Sequence, residues 1–285
     1  MEPSQLGDIR LYAKADLDQA EFHAIAGGTT SVFSKPRPGD DGVNEDSAAL
    51  IPLGDGAAIL AVADGCGGMP GGEEASSLAL KKLIEAVQAA ADAEHEVSMR
   101  AAILNGFEEA NQAVIALGIG AATTLAVGEV QGATIRTYHV GDSMILVTGQ
   151  RGRVKQQTVS HSPVGYALES GMLSETQAIK HEDRHVVSNI VGTPDMRIEL
   201  GPTIELARRD TVIIASDGLG DNLLLDEIVD SVRKGTLSQV AHALATRSRA
   251  RMINPEEGRK IPSHADDLTF IVFRLSGDKP AKGAG

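Results

Sequence analysis

The sequence predicts an α+β fold in which β-sheets are packed between layers of helices. Two short apolar runs, Ala57–Ala63 and Thr211–Ser216, are typical of strands that are buried on both faces. A pair of amphipathic helical patterns follows each run, and no linker rich in Pro, Gly or Ser divides the chain. Strands that alternate with helix pairs in this way favour one domain of stacked sheet and helix layers.

The N-terminal part contains the first predicted strands. Residues 1–22 are polar and are predicted to form an irregular extension, with a short helix over Asp16–Phe22. His23–Ser34 predicts either a first strand pair or one strand with a bulge at its Gly-Gly pair. Ser47–Pro52 predicts a further strand, which a glycine-rich turn joins to Ala57–Ala63.

The middle of the chain predicts two helices and then three strands. Apolar residues recur at helical spacing over Glu73–Glu94 and Val97–Leu117, and glycines end the second pattern. Ala121–Val130, Ala133–His139 and Met144–Thr148 are strand-like runs separated by tight turns. Such spacing predicts a meander of three neighbouring strands.

The C-terminal half begins with a polar insertion over residues 158–193. Helical patterns then cover Asp226–Arg233 and Leu237–Met252, and Leu268–Leu275 reads as the last strand. Residues 276–285 are rich in Gly, Lys and Pro, a composition that predicts a disordered tail.

Acidic residues stand at the ends of several of these strands. Asp64 and Asp217 each end an apolar run, Glu45 and Asp46 precede a strand, and the pair that begins with Asp266 opens the last one. At a single strand end, an Asp that merely caps a turn is the simpler interpretation. If the strands share one core, however, the acids converge, and like charges at close range require a cation. All-oxygen ligands without Cys or His favour Mg²⁺ or Mn²⁺.

Composition excludes several classes of protein. The net charge of −13 over 285 residues and an aromatic content of 3% argue against nucleic-acid binding and against an anionic membrane surface. No apolar stretch spans a bilayer, and the N-terminus lacks a signal-peptide pattern. One cysteine cannot form an internal disulfide, so the expected location is the cytoplasm.

Five short motifs follow one another along the chain, namely Asn44–Asp46, Val62–Gly68, Val140–Ser143, Ser216–Leu219 and Asp266–Thr269. In this order they resemble the motifs of the bacterial type 2C (PPM) metal-dependent serine/threonine protein phosphatases. They extend over most of the chain, from about His23 to Leu275. The resemblance implies a four-layer α-β-β-α sandwich of two antiparallel sheets flanked by helix pairs. It also implies a catalytic domain over residues 23–275, with the insertion at about 158–193 as its flap.

The resemblance also implies a metal centre with two Mn²⁺ or Mg²⁺ ions and, as in bacterial relatives, a third. Asp64 would bridge two ions, and Asp46 and Asp217 would complete the catalytic acids. A water between two divalent ions loses a proton near neutral pH and attacks phosphorus directly, without a phospho-enzyme. The implied metal ligands are Glu45, Asp46, Asp64, the Gly65 carbonyl, Asp142, Asp217 and Asp266.

Two positions depart from the family pattern. Asp41 stands where the family usually has the arginine that grips the substrate phosphate, and Arg37 or Lys35 in the same loop are the candidate replacements. Cys66 follows the metal-bridging acid, where some members have a histidine. A cysteine nucleophile needs a base and a positive environment, so a ring of acids argues against that role.

The predicted function is therefore dephosphorylation of phosphoserine and phosphothreonine in proteins by a monomeric enzyme that opposes a serine/threonine kinase. Two alternatives stay open at this stage. The altered phosphate grip at Asp41 also fits a pseudophosphatase that binds phosphoproteins without turnover. It fits equally a hydrolase of small phosphoesters.

Overall fold

In the computed structural model of the protein, two antiparallel sheets face each other and helices cover both outer faces. The structure describes residues 6–39, 42–54, 56–66, 71–93, 97–178, 180–254 and 262–276. Elements are numbered below in chain order. The predicted α-β-β-α sandwich is thus confirmed.

The first sheet contains strands from the N-terminal half of the chain and two short strands from its second half. Its order is β1-β4-β5-β6-β7-β10, and β11 also pairs with β7. The bounds are β1 Arg10–Ala13, β4 Ser47–Pro52, β5 Ala57–Ala63, β6 Leu125–Gln131, β7 Thr134–Val140, β10 Glu199–Leu200 and β11 Ile204–Glu205.

The second sheet combines strands that are distant in sequence. Its order is β2-β3-β13-β12-β8-β9, so the last long strand of the chain lies at the centre. The bounds are β2 Glu21–Ile25, β3 Gly28–Lys35, β8 Met144–Thr148, β9 Val154–Gln157, β12 Thr211–Ala215 and β13 Leu268–Leu275.

The helices divide between the two outer faces and the flap. Helices α1 and α2 pack on the first sheet, α5 to α7 pack on the second, and α3 and α4 lie within the insertion at residues 158–193. Among the described residues, no helix is both long and apolar enough to cross a bilayer. The bounds are α1 Gly72–Ala91, α2 Met99–Ala116, α3 Pro163–Glu169, α4 Glu175–Ala178, α5 Asp217–Gly220, α6 Leu225–Val232 and α7 Leu237–Ile253.

Strand β5 shows why an unbroken apolar run belongs at this place. Because side chains alternate along a strand, Leu60 and Val62 point into the space between the sheets, while Ile59 and Ala61 pack under α1 and α2. All four side chains are fully buried. The prediction of a strand buried on both faces is confirmed.

The N-terminal segment differs from its prediction. Strand β1 pairs with β4 from Arg10 to Ala13, and β2 already begins at Glu21. The expected helix over Asp16–Phe22 is wrong, as is the irregularity of residues 10–13; the domain boundaries at residues 23 and 275 stay predictions. Strands β2 and β3 form the pair that was one of the two options for His23–Ser34.

The predicted three-strand meander is also wrong in one respect. Strands β6 and β7 pair in the first sheet, but β8 pairs with β12 and β9 in the second. The chain crosses between the sheets at Gly141, whose φ of 105° favours glycine, and Asp142 follows in the crossing. Nearly all of the tail that was predicted to be disordered, residues 277–285, lies outside the described residues.

Candidate metal centre

The predicted acids gather where both sheets end. Asp64 directly follows the last residue of β5, Ala63. Ala63 pairs with Ser47, the first residue of β4, and Asp46 directly precedes Ser47. Asp217 follows β12, and Asp266 precedes the neighbouring strand β13. In an antiparallel pair the end of one strand meets the start of the next. The sheet topology therefore brings carboxylates that are distant in sequence to one edge, which we call the carboxylate rim.

A cavity of about 550 Å³ opens at this rim. Asp46 itself is buried behind the cavity wall, at 2% exposure. The lining includes predicted ligands together with basic and flap residues, namely Arg37, Glu45, Asp64, Gly65, Cys66, Asp142, His185, Asp217, His264 and Asp266.

Backbone contacts hold Asp64 and the residue after it in place. The Asp64 N–H donates to Thr124 Oγ1 at 3.0 Å, and its carbonyl accepts from Thr123 Oγ1 at 2.7 Å. A Cβ on Gly65 would lie 2.4 Å from the Gly72 carbonyl oxygen, so no side chain fits there. The glycine after Asp64 is therefore required by a close approach between backbones.

Further hydrogen bonds orient the acids toward one another. Ser216 Oγ donates to Asp46 Oδ2 at 2.7 Å, and the Asp217 N–H donates to Asp64 Oδ2 at 3.3 Å. These two bonds connect the end of β12 to both strands of the first sheet that carry acids. The fold itself, through these two bonds, holds the carboxylates near one another.

The structure separates the roles of Asp266 and Asp267. Both carboxylate oxygens of Asp267 accept backbone N–H groups, from Arg37 at 2.8 Å and from Glu45 at 2.6 Å. Both residues line the cavity, but the side chain of Asp266 accepts only the N–H of Asp267, as far as the described residues show. This supports the choice of Asp266 as the metal ligand and gives Asp267 a structural role.

Electrostatics at the rim favour a bound cation. Burial and then the charge of Asp217 raise the pKa of Asp64 well above its usual value, and burial and then Asp266 do the same for Asp217. Burial also raises the pKa of Asp142 and of Asp266 to about 6. Acids that are held close together out of water are costly unless a cation or protons neutralise them. The oxygen-only donor set fits Mg²⁺ or Mn²⁺.

One further acid was missed by the sequence analysis. Asp221 caps the C-terminal end of α5, four residues after Asp217, and burial raises its pKa to about 6. Residues four apart on a helix share a face. The spacing after the second apolar run was therefore a usable signal.

Of the two candidates for phosphate capture, the structure places only Arg37 at the cavity. Burial raises the pKa of Glu45 and of Asp266, and the positive charge of Arg37 offsets part of each shift, which places its guanidinium near both carboxylates. Lys35 Nζ instead binds Asp16 at 2.6 Å and Asp18 at 2.9 Å, and Lys35 does not belong to the lining of the cavity. Asp41 lies outside the described residues.

Cys66 does not have the properties of a nucleophile. Burial and then the charges of Asp142 and Asp217 raise the pKa of its thiol to about 12. The thiol is therefore protonated at neutral pH, in agreement with its interpretation as a turn residue.

The flap is anchored to the rim through His161, which is buried at 3% exposure. Its Nδ1 accepts the N–H of Gly141 at 3.1 Å and lies 2.8 Å from Asn189 Nδ2. With Nδ1 as an acceptor, Nε2 carries the proton and donates to Glu199 at 3.1 Å. His161 thus joins the crossing that carries Asp142 to the flap, a structural role rather than a catalytic one.

Comparison with known proteins identifies the family of the chain. The family model for protein phosphatase 2C matches residues 39–254. Protein phosphatase PhpP of Streptococcus pneumoniae is 30% identical over 231 residues, which cover 78% of this chain and 87% of that protein.

Solved structures share the fold. The S. agalactiae serine/threonine phosphatase superposes with a TM-score of 0.71 at 24% identity, over 87% of this chain and 99% of that one. The catalytic domain of serine/threonine protein phosphatase PstP, solved with 2 manganese ions, has a TM-score of 0.64 at 22% identity, over 86% and 96% of the two chains. The resemblance found in the five motifs is confirmed, and the chain belongs to the protein phosphatase 2C family of metal-dependent phosphoric monoester hydrolases.

Proposed function

We propose that this protein removes phosphate from phosphoserine and phosphothreonine in protein substrates, with Mn²⁺ or Mg²⁺ held at the carboxylate rim. The observation that supports this most is the convergence of buried, mutually repelling carboxylates on one cavity. The names of the family relatives agree with it, since PhpP is a protein phosphatase and PstP was solved with manganese.

In the proposed centre, Asp64 would hold the divalent ions together with the other predicted ligands. Asp142 and Asp217 would hold a third ion, since both line the cavity at the rim and also a second cavity that extends beneath α3 and α4. Divalent ions in such a site lower the pKa of water toward neutrality and neutralise phosphoryl oxygens. The other proposed ligands are Glu45, Asp46, the Gly65 carbonyl and Asp266.

The chain's own residues orient the substrate and the acids. Arg37, at the wall beside Glu45 and Asp266, is proposed to bind the phosphoryl oxygens. Ser216 holds Asp46 through its hydroxyl, and Asp267 holds the backbone of Arg37 through its carboxylate. These bonds fix the Arg37 loop and the acids relative to one another, and orientation of a reacting phosphate requires such fixed groups.

We also propose that the protein is a monomer, that it is located in the cytoplasm and that it opposes a serine/threonine kinase.

The test is phosphate release from a phosphothreonine peptide and from p-nitrophenyl phosphate, with Mn²⁺ and then with excess chelator. We expect metal-dependent turnover of both substrates and none in Asp64→Asn. Turnover of the small ester alone would favour the small-phosphoester alternative. No turnover, with Mn²⁺ binding seen by calorimetry, would contradict the proposal and favour a binding role.

A further inference from the structure

A second group of metal-ligating side chains lies at the edge of the rim. We call His185, Asp221 and His264 the histidine cluster. One ligand atom from each lies within 4.8 Å of the other two. His185 Nδ1 is 3.4 Å from Asp221 Oδ2, and the two imidazole rings lie 4.3 Å apart between centroids. The residues come from three separate parts of the chain, so local sequence does not explain their meeting.

One oxygen of the carboxylate in this cluster is buried without a hydrogen bond, although the Asp221 side chain as a whole is 22% exposed. Asp221 Oδ2 is buried and has no hydrogen-bond partner within the part of the chain that the structure describes. Buried polar atoms are nearly always satisfied, because leaving one unpaired costs free energy. An unsatisfied carboxylate oxygen that faces an imidazole nitrogen indicates a place for a cation.

A positive group already occupies this region. Arg184 Nε donates to His185 Nε2 at 2.8 Å and lies 4.0 Å from Asp221 Oδ2. A planar guanidinium cannot approach all three ligands as closely as a small ion, whose bonds to nitrogen and oxygen are about 2.0–2.2 Å long. The ion would displace the Arg184 contact to His185 and satisfy the buried oxygen of Asp221.

We propose that His185, Asp221 and His264 bind a transition-metal ion, with Zn²⁺ the best match. Two imidazoles and one carboxylate are a ligand set that Zn²⁺ commonly takes, with water in the fourth position. The acids of the carboxylate rim offer only oxygens and therefore prefer Mg²⁺ or Mn²⁺. The two neighbouring sites are distinguished by the chemistry of their donors.

The position of the cluster gives the ion a structural effect. His185 belongs to the flap, whereas Asp221 and His264 belong to the part that carries the second sheet. An ion bound to all three ties the flap to the rim. His264 Nε2 also lies 3.5 Å from Asp266 Oδ2, so the proposed site directly adjoins a proposed ligand of the rim.

The experiment titrates the full-length protein with Zn²⁺ in excess Mg²⁺, and counts the Zn²⁺ retained per chain after dialysis. We expect one Zn²⁺ per chain, and binding about tenfold weaker or more in His185→Asn and in His264→Asn. Titration with Co²⁺ should give the strong visible bands of a nitrogen-ligated site in the wild type, and these bands should vanish in both variants. Circular dichroism checks that the variants stay folded.

His181→Asn is the matched control, because His181 lies on the same flap and its Nδ1 accepts the local N–H of Asp183. It should bind Zn²⁺ like the wild type. Wild-type protein that retains no Zn²⁺ would overturn the proposal. So would equal binding in the His185 and His264 variants, or equal loss in the His181 control. The test counts metal and not turnover, so its outcome is independent of phosphatase activity.

Discussion

The space between the sheets and the carboxylate rim are built by the same strands, yet their chemistry is opposite. Along β5, Leu60 and Val62 fill the inter-sheet core, and the next inward position brings Asp64. Along β12, Ile214 packs in the same core and Asp217 follows at the strand's end. Burial stabilises the fold in the core, whereas at the rim it raises carboxylate pKa values and opposes the charged state.

The core supplies the rigidity that the rim requires. Carboxylates on flexible segments would move apart to relieve their repulsion. Here the backbone contacts of Asp64 and the hydrogen bond from Ser216 to Asp46 keep them together. The binding of divalent ions offsets the unfavourable free energy of holding these carboxylates together. Substitutions in the two regions should therefore have separable effects.

The largest expected effect is on activity at the rim. Asp64→Asn should lower kcat by about a thousandfold or more, because a buried charge at the centre of the metal site is removed. Initial rates with a phosphothreonine peptide and Mn²⁺ measure it. The exposed Asp226 in the first turn of α6 provides the control, and Asp226→Asn should keep nearly full activity. Near wild-type rates in Asp64→Asn would refute the proposed metal centre.

In the core the expected effect is on stability. Leu60→Ala should lower the free energy of unfolding by about 2–5 kcal/mol, because the side chain is fully buried between the sheets. Urea denaturation measures it. Ile115→Ala, at 43% exposure on α2, should change stability by less than about 0.5 kcal/mol. Similar losses in both variants would show that the inter-sheet core is not the stabilising region.

The carboxylates of the rim, unlike the apolar side chains of the core, should make the free energy of unfolding depend on pH. In the metal-free protein, burial raises the pKa of Asp142 and of Asp266 from the ordinary value of 3.8, which applies to the unfolded chain, to about 6. Between these values the folded state binds more protons, so the free energy of unfolding should fall as pH rises from about 4 to about 6. The expected loss is on the order of a few kcal/mol.

Saturating Mn²⁺ should reverse this trend, since metal binds the deprotonated carboxylates. Urea denaturation at several pH values, with Mn²⁺ and with chelator, measures both slopes. Parallel slopes under the two conditions would contradict the assignment of these carboxyls to a metal site.

The smallest predicted effect concerns phosphate capture. Arg37→Ala should raise KM by about tenfold with little change in kcat, since the guanidinium is proposed to bind the substrate phosphate equally before and during reaction. Lys35→Ala is the control, because Lys35 binds Asp16 and Asp18 away from the cavity. An unchanged KM in the Arg37 variant would remove this residue from the site.

The sequence predicted most of the layers and most of the rim for one physical reason. A buried strand such as β5 appears in the sequence as an unbroken apolar run, and the acidic residue of the rim follows directly at its end. Both the run and the acid are local signals. Strand β1 was missed because it is a short edge strand with one exposed and three half-buried residues, which leaves little periodicity.

Other features depend on contacts that no local pattern contains. A strand signal over Met144–Thr148 does not say which sheet the strand joins, so the crossing at Gly141 was not predicted. The meeting of His185 with His264 depends on how the flap lies over the rim. Asp221 is the exception, since its helical spacing from Asp217 was visible in the sequence.

The most direct test of the central claim compares the stability of wild type and Asp64→Asn, each in chelator and in Mn²⁺, by urea denaturation at neutral pH. If the rim is a repulsive site that divalent ions neutralise, Mn²⁺ should raise the wild-type midpoint strongly and that of the variant only slightly. In chelator, Asp64→Asn should be the more stable protein, because it lacks one buried charge. A wild type that gains nothing from Mn²⁺, or a variant that is less stable in chelator, would contradict this account.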